Sequence, residues 1–191
     1  VAVDIGANLG LLALIMADQV GPEGAVYAIE PNVHLYPYAE KLFRLNMVEN
    51  VNMIDCACSD QEGSVKMDLD EADHTKSHIA DGGGYEVKTL PLDTILAEEE
   101  KSVSFVKIDV EGHEPKVLGG ARGTLAANRP SLVFETGFHS QADIDAIDAL
   151  LGEVEYDVIG VLHDWGVEER ELSTDMTTRT HCNVLALPRR K

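Results

Sequence analysis

The sequence opens on VAVDIGANLG, residues 1–10, and no other stretch limits the possible folds as strongly. Val1, Val3 and Ile5 alternate as a buried strand does, Gly6 and Gly10 punctuate a turn, and Leu11–Val20 is apolar nearly all round. That pattern predicts a strand running through a glycine turn into a helix packed on a sheet. Such a helix directs unpaired N–H groups at the turn, and glycines there let backbone approach a ligand closely. Asp4 falls at the strand's exit, placed to fix the loop or to accept a proton from a ligand's amine.

The alternation continues. Gly21-Pro22 stops the helix, residues 25–30 form a strand closed by Glu30-Pro31, and residues 33–47 carry Leu35, Leu42 and Leu45 at helical spacing behind an Asn32 cap. Residues 51–58 give a third strand. Strand–helix–strand–helix–strand predicts a parallel sheet with right-handed crossovers. Residues 59–92 break the rhythm: 63–69 and 86–90 alternate as short strands around a polar, glycine-ended excursion at 70–84, expected to be mobile and able to act as a lid. A short helix is expected at 92–100, a strand at 103–108, a helical stretch at 114–128 broken at Gly119-Gly120, and a strand at 131–134. Ser140, with Asp143 three residues on, signals a capped helix. Residues 155–162 and 182–187 read as a final strand pair, joined by 163–181 with the single tryptophan, Trp165.

At 191 residues and 45% hydrophobic, the chain is expected to form one globular domain. Thirty-four acidic residues against 15 basic give a net charge of −19, a field that repels nucleic-acid backbones and anionic membrane surfaces. The longest apolar run, 9–17, is too short to insert into a membrane and follows no basic segment. The chain starts inside a strand and without Met, so a segment upstream is expected. Cys56, Cys58 and Cys182 are odd in number and lie in apolar runs, as buried thiols of a reducing, cytoplasmic compartment do. Cys56 and Cys58 are expected on one strand face, without a second pair to complete a zinc site. The sequence leaves a homo-oligomer open.

Open α/β sheets bind ligands beyond the carboxyl ends of their strands. The candidates are therefore residues 4–10, Glu30, 58–60, 109–114 and Glu135. A dinucleotide turn needs G-x-G-x-x-G, but counting from Gly6 the positions hold Gly6, Asn8 and Leu11. A phosphate-binding G-x-x-x-x-G-K-[ST] loop is also missing. What remains is D-x-G-x-x-x-G with an acid, Glu30, ending the next strand and able to accept hydrogen bonds from both ribose hydroxyls. S-adenosylmethionine fits that pattern, its amino-acid end on the turn and its ribose on Glu30.

Together with residues 4–10, Glu30-Pro31-Asn32 and the KIDVEGHE run at 107–114 resemble the FkbM-type family of S-adenosylmethionine-dependent methyltransferases. The likeness runs from residue 1 to about Glu135 and resumes at NVLALP, 183–188; Leu92-Asp93, Val117, Gly120 and Ala121 add to it, as do Asn46, Asn50, Ala57, Ser59, Asp60 and Gly63. The resemblance implies a class I methyltransferase fold: a Rossmann-like three-layer sandwich on a mostly parallel seven-stranded sheet with an antiparallel last strand. It implies O-methylation of a hydroxyl on a small molecule, sugar or glycan. Carried over by position, Asp4, Gly6, Asn8 and Gly10 would hold the methionine end, Glu30 the ribose, and Ser59-Asp60 would lie beside the adenine.

A neutral alcohol needs a base or a metal to act as a nucleophile. Asp109, ending the strand beside the first and so facing both cofactor and methyl group, is the first choice as base or as part of a cation site with Glu135. Together the two could hold Mg²⁺. His113 is the second choice as base. Glu111 and Glu114 are candidates to cap the helix at Glu114-Pro115, and His139, His163 and Trp165 could line the acceptor pocket. Two rivals stay open: a nucleotide- or NAD-binding oxidoreductase of the same sheet class, and a non-catalytic binding module in which Asp109→Asn would change nothing.

Overall fold

In the computed structural model, residues 1–68, 78–79, 84–137, 139–164, 166–169, 172 and 182–190 are described. The first half runs β1 (Ala2–Ile5), α1 (Leu11–Val20), β2 (Val26–Ile29), a 3₁₀ turn (Val33–Leu35), α2 (Tyr36–Leu45), β3 (Val51–Ile54), β4 (Ala57–Cys58), β5 (Gly63–Asp68) and β6 (His78–Ile79). The second runs β7 (Tyr85–Leu90), α3 (Leu92–Ile95), β8 (Phe105–Ile108), α4 (Glu114–Gly119), α5 (Arg122–Asn128), β9 (Ser131–Thr136), α6 (Gln141–Glu153), β10 (Tyr156–His163), β11 (Gly166–Glu169) and β12 (Cys182–Pro188).

The main sheet has the order β11-β10-β12-β9-β8-β1-β2-β3. Strands β3, β2, β1, β8 and β9 are parallel, and β12 inserts antiparallel between β9 and β10. The expected antiparallel last strand is therefore present, and β11 adds an eighth strand at the edge by pairing antiparallel with β10.

The pleat explains the layers. On β1 and β2, Ala2, Val26 and Ala28 point to one side, where Ala13, Met16 and Ala17 of α1 and Ala39 and Phe43 of α2 cover them. Val3, Ile5 and Ile29 point to the other, against Val117 and Leu118 of α4, Leu125 of α5 and Ile147 and Leu151 of α6. Two apolar cores thus flank one sheet, which makes three layers.

Four local readings change. Residues 51–58 are two strands, not one: β3 joins the main sheet, but β4 leaves it to pair with β7 in a second sheet, β4-β7-β5-β6. Cys56 sits between β3 and β4, so the two thiols do not share a strand face; both are buried free cysteines. Burial, helped by Asp55, pushes the Cys56 thiol up to about 11, and burial pushes Cys58 higher still, so both stay protonated. The helix expected at 33–47 starts with the 3₁₀ turn, whose His34 N–H donates to the Asn32 side chain at 3.2 Å. The helix expected at 92–100 keeps only Leu92–Ile95. Of the excursion at 70–84, β6 pairs with β5 and Gly84 precedes β7, while the rest lies outside the described residues, as does Trp165.

Two sets of side-chain contacts carry structural loads. Ser140 and Asp143 form a full capping box on α6. Asp93 ties α3 to α5: its carboxylate accepts from Gly123 N (2.8 Å), Thr124 N (2.7 Å) and Thr124 Oγ1 (2.8 Å), capping a helix remote in sequence.

Candidate active site

The carboxyl ends of β1, β2 and β8 open into a cavity of about 380 Å³. Asp4, Gly6, Asn8, Glu30, Asp109 and His113 line it, with apolar walls from Leu9, Leu12, Cys58, Met67, Ile79 and Val110. Of the expected site residues, Gly10, Ser59, Asp60 and Glu135 are not part of this lining.

The two turn glycines are needed by the protein itself. Gly6 has φ +77°, and a Cβ on it would stand 1.8 Å from the Asp109 carbonyl oxygen; Gly10 has φ +79°, and its Cβ would stand 2.6 Å from Phe43 Cζ. Gly6 therefore lets the β1 and β8 ends close on each other, and Gly10 lets α1 start against α2. A third such contact is Gly120, where a Cβ would lie 2.0 Å from the Ser59 carbonyl oxygen.

Glu30 follows β2 and is buried. Its Oε2 accepts from Asn8 N at 2.9 Å and its Oε1 from Asn32 N at 2.8 Å, so one carboxylate fixes both the glycine turn and the chain after β2. Burial pushes the Glu30 carboxyl above its ordinary range, against the pull of those two N–H groups. Asp4 is fully buried, with the Lys107 ammonium as its ion-pair partner. Burial raises its pKa as well, and the Lys107 ammonium opposes the rise.

Lys107 is the residue that reading the sequence left out. Its buried Nζ lies 3.5 Å from Asp4 Oδ1, 3.3 Å from Asp109 Oδ2 and 3.3 Å from the Gly6 carbonyl oxygen. A lysine inside a strand of four, FVKI, is itself the signal, because an ammonium between apolar neighbours must find carboxylates. Asp109, Glu111 and Glu135 each bring a carboxylate oxygen within 4.8 Å of the others. This hard-oxygen rim could accept a divalent cation, but Asp109 already has Lys107 as its cation.

His113 precedes α4, with its Nε2 3.0 Å from Ser59 Oγ. Burial holds its pKa below the ordinary histidine value, against Glu114 and Asp60, so the ring is neutral at pH 7. Glu114 does not serve as a simple helix cap: its Oε1 accepts from Val110 N at 2.9 Å and its Oε2 faces His139 Nε2 at 3.0 Å. His139 therefore does not line the cavity; it is buried against Glu114 beneath the loop that carries Asp109 and His113. Burial alone would lower the His139 pKa, but Glu114 outweighs it and the net direction is up. His163 faces Glu168 at 3.2 Å across the β10–β11 edge, away from the cavity lining.

Sheet order, the antiparallel β12 and a ligand-sized cavity at the β1–β2–β8 ends define the class I methyltransferase fold. The sequence matches the methyltransferase FkbM domain model over residues 4–158, and the chain belongs to that family. An FkbM methyltransferase structure from Methylobacillus flagellatus KT superposes with a TM-score of 0.63 at 21% identity, covering 97% of this chain and 42% of that one. Fibrillarin from Aeropyrum pernix, solved with bound S-adenosyl-L-methionine, gives 0.58 at 15% identity over 97% of this chain and 65% of its own. A Streptococcus mutans protein in complex with SAH gives 0.52 at 11% identity, over 97% and 86%. The chain thus spans less than half the length of the FkbM structure. No curated protein sequence matches the chain. Among the described residues, no helix is long and apolar enough to cross a membrane.

Proposed function

We propose that this chain binds S-adenosylmethionine in the β1–β2–β8 cavity and transfers its methyl group to a hydroxyl of a small molecule, sugar or glycan. The observation that carries this reading is Glu30: a buried carboxylate at a strand end, anchored by two backbone N–H groups and lining the same cavity as Gly6, Asn8 and Asp4. Each Glu30 oxygen keeps a second lone pair for a ribose hydroxyl. Asp4, ion-paired with Lys107, would take the cofactor's amino group. The cavity falls within the ~300–1,000 Å³ range of small-ligand sites.

When bound, the sulfonium supplies an activated methyl group, and the C–S electron pair leaves with a neutral thioether. The protein's part is to align the acceptor oxygen opposite that bond, exclude water and take the acceptor's proton. His113 is the better base. Its ring is neutral at pH 7, whereas the Asp109 carboxylate is engaged by the Lys107 ammonium at 3.3 Å. Asp109 then orients the turn and, with Glu135 and Glu111, forms an acidic rim on the acceptor side.

Calorimetric titration with S-adenosylhomocysteine and NAD tests the reading. Micromolar binding of the first alone is expected; binding of NAD alone would overturn it. A labelled-methyl screen against sugars, glycolipids and polyketide alcohols would then identify the acceptor.

A further inference from the structure

Ser59 and Asp60 stand outside the cavity lining, yet they form a continuous chain of polar contacts to His113. Ser59 follows β4 and is buried, its N–H donating to the Leu90 carbonyl at 3.0 Å. Its Oγ lies 3.0 Å from His113 Nε2 and 3.3 Å from Asp60 Oδ1, while Asp60 Oδ2 lies 3.0 Å from Lys116 Nζ on α4.

The hydroxyl has one proton to give. Donated to His113, it would turn an Oγ lone pair towards an ionised carboxylate oxygen. Donated to Asp60, it makes a charge-assisted bond and frees Oγ to accept from the ring. The chain of donation therefore runs Nε2–H to Oγ, then Oγ–H to Oδ1.

We propose that Asp60 and Ser59 act as positioning residues that hold His113 in the tautomer with its hydrogen on Nε2, leaving Nδ1 with the lone pair that receives the acceptor's proton. This rests on the methyl-transfer reading for its purpose but not for its geometry. As the acceptor oxygen bonds to the methyl carbon, its proton passes to Nδ1; the resulting imidazolium keeps its Nε2–H on Ser59, with the Asp60 charge one bond further on. Lys116 holds Asp60 in place: burial would raise the Asp60 pKa, but the Lys116 ammonium, together with a backbone N–H and the Ser59 hydroxyl, turns the net direction down. The charged neighbours of the ring are Glu114, Asp60 and Lys116.

The test is ¹⁵N NMR of the histidine rings in the full chain at pH 7.5, with His113 assigned by His113→Gln. The wild type is expected to show the Nε2–H form in excess by about tenfold or more, the ratio that one charge-assisted hydrogen bond supports. Asp60→Asn, whose amide can donate to Oγ, should turn the serine proton onto Nε2 and invert the ratio. Ser59→Ala should give a mixture, and Ser59→Thr, which keeps the hydroxyl, should restore the wild-type pattern. A wild-type ring protonated on Nδ1, or an Asp60→Asn spectrum identical to wild type, overturns the proposal. Failure of S-adenosylhomocysteine to bind would instead remove the methyl-transfer reading, and the two results are independent.

Discussion

Lys107 places one buried ammonium among Asp4, Asp109 and the Gly6 carbonyl, so three groups at the strand ends depend on a single charge. Removing it leaves a fully buried carboxylate, Asp4, without a cation. Lys107→Met is expected to cost about 3–5 kcal/mol in urea unfolding, and adding Asp4→Asn should recover much of that. A single-variant loss below about 1 kcal/mol would show that Asp4 sheds its charge by protonation instead. Glu30 differs, because backbone N–H groups hold it and it lines the cavity. Glu30→Ala is expected to weaken S-adenosylhomocysteine binding at least tenfold, and by more than Asp109→Ala does. The opposite order in calorimetry would move the ribose position away from β2.

At the scale of elements, two tertiary ties replace what isolated helices lack. Asp93 caps α5 from α3, so Asp93→Ala should cost about 2 kcal/mol, measured by the urea midpoint. The Glu114–His139 pair joins the start of α4 to the segment before α6. His139 has a raised pKa in the fold because Glu114 outweighs burial, so its contribution is complete below its ordinary value of 6.5 and is lost as pH climbs through the folded value. The stability difference between wild type and His139→Gln should therefore be largest near pH 6 and shrink towards pH 9. A difference that grows with pH would reverse the sign. His113, whose pKa is lowered by burial, acts in the opposite sense as pH falls, and the comparison of the two proteins cancels it.

These ties mark where the sequence stopped being readable. Period and punctuation placed β1, α1, the break at Gly119-Gly120 and the α6 capping box, because each depends on neighbours within a few residues. The split of residues 51–58 did not show, since β4 is as apolar as β3 and only its pairing with β7 separates them. At the site, strand-end position and the family resemblance picked out Asp4, Gly6, Asn8, Glu30, Asp109 and His113, which the fold gathers around one cavity, and also Gly10, Ser59, Asp60 and Glu135, which do not line it. It could not pick out Lys107 as their hub or His139 as a partner of Glu114, because such pairings depend on which strands become neighbours.

For the molecule as a whole, 34 acidic residues against 15 basic make self-repulsion a standing load on the folded state. The melting temperature should rise with added NaCl, most steeply below about 0.1 M, where screening lengths exceed ~10 Å. A fall would mean that paired surface charges such as Arg122–Glu153 and Arg189–Asp157 outweigh the excess. One further contact runs from the helix joint towards the site. Gly120 sits at the joint between α4 and α5 and leaves just enough room for the Ser59 carbonyl. Ser59 in turn touches His113. A single methyl group added at that joint, outside the cavity lining, would act as a wedge whose far end is the imidazole. The tolerances of the His113 ring are thus set by a vacancy in the scaffold behind it.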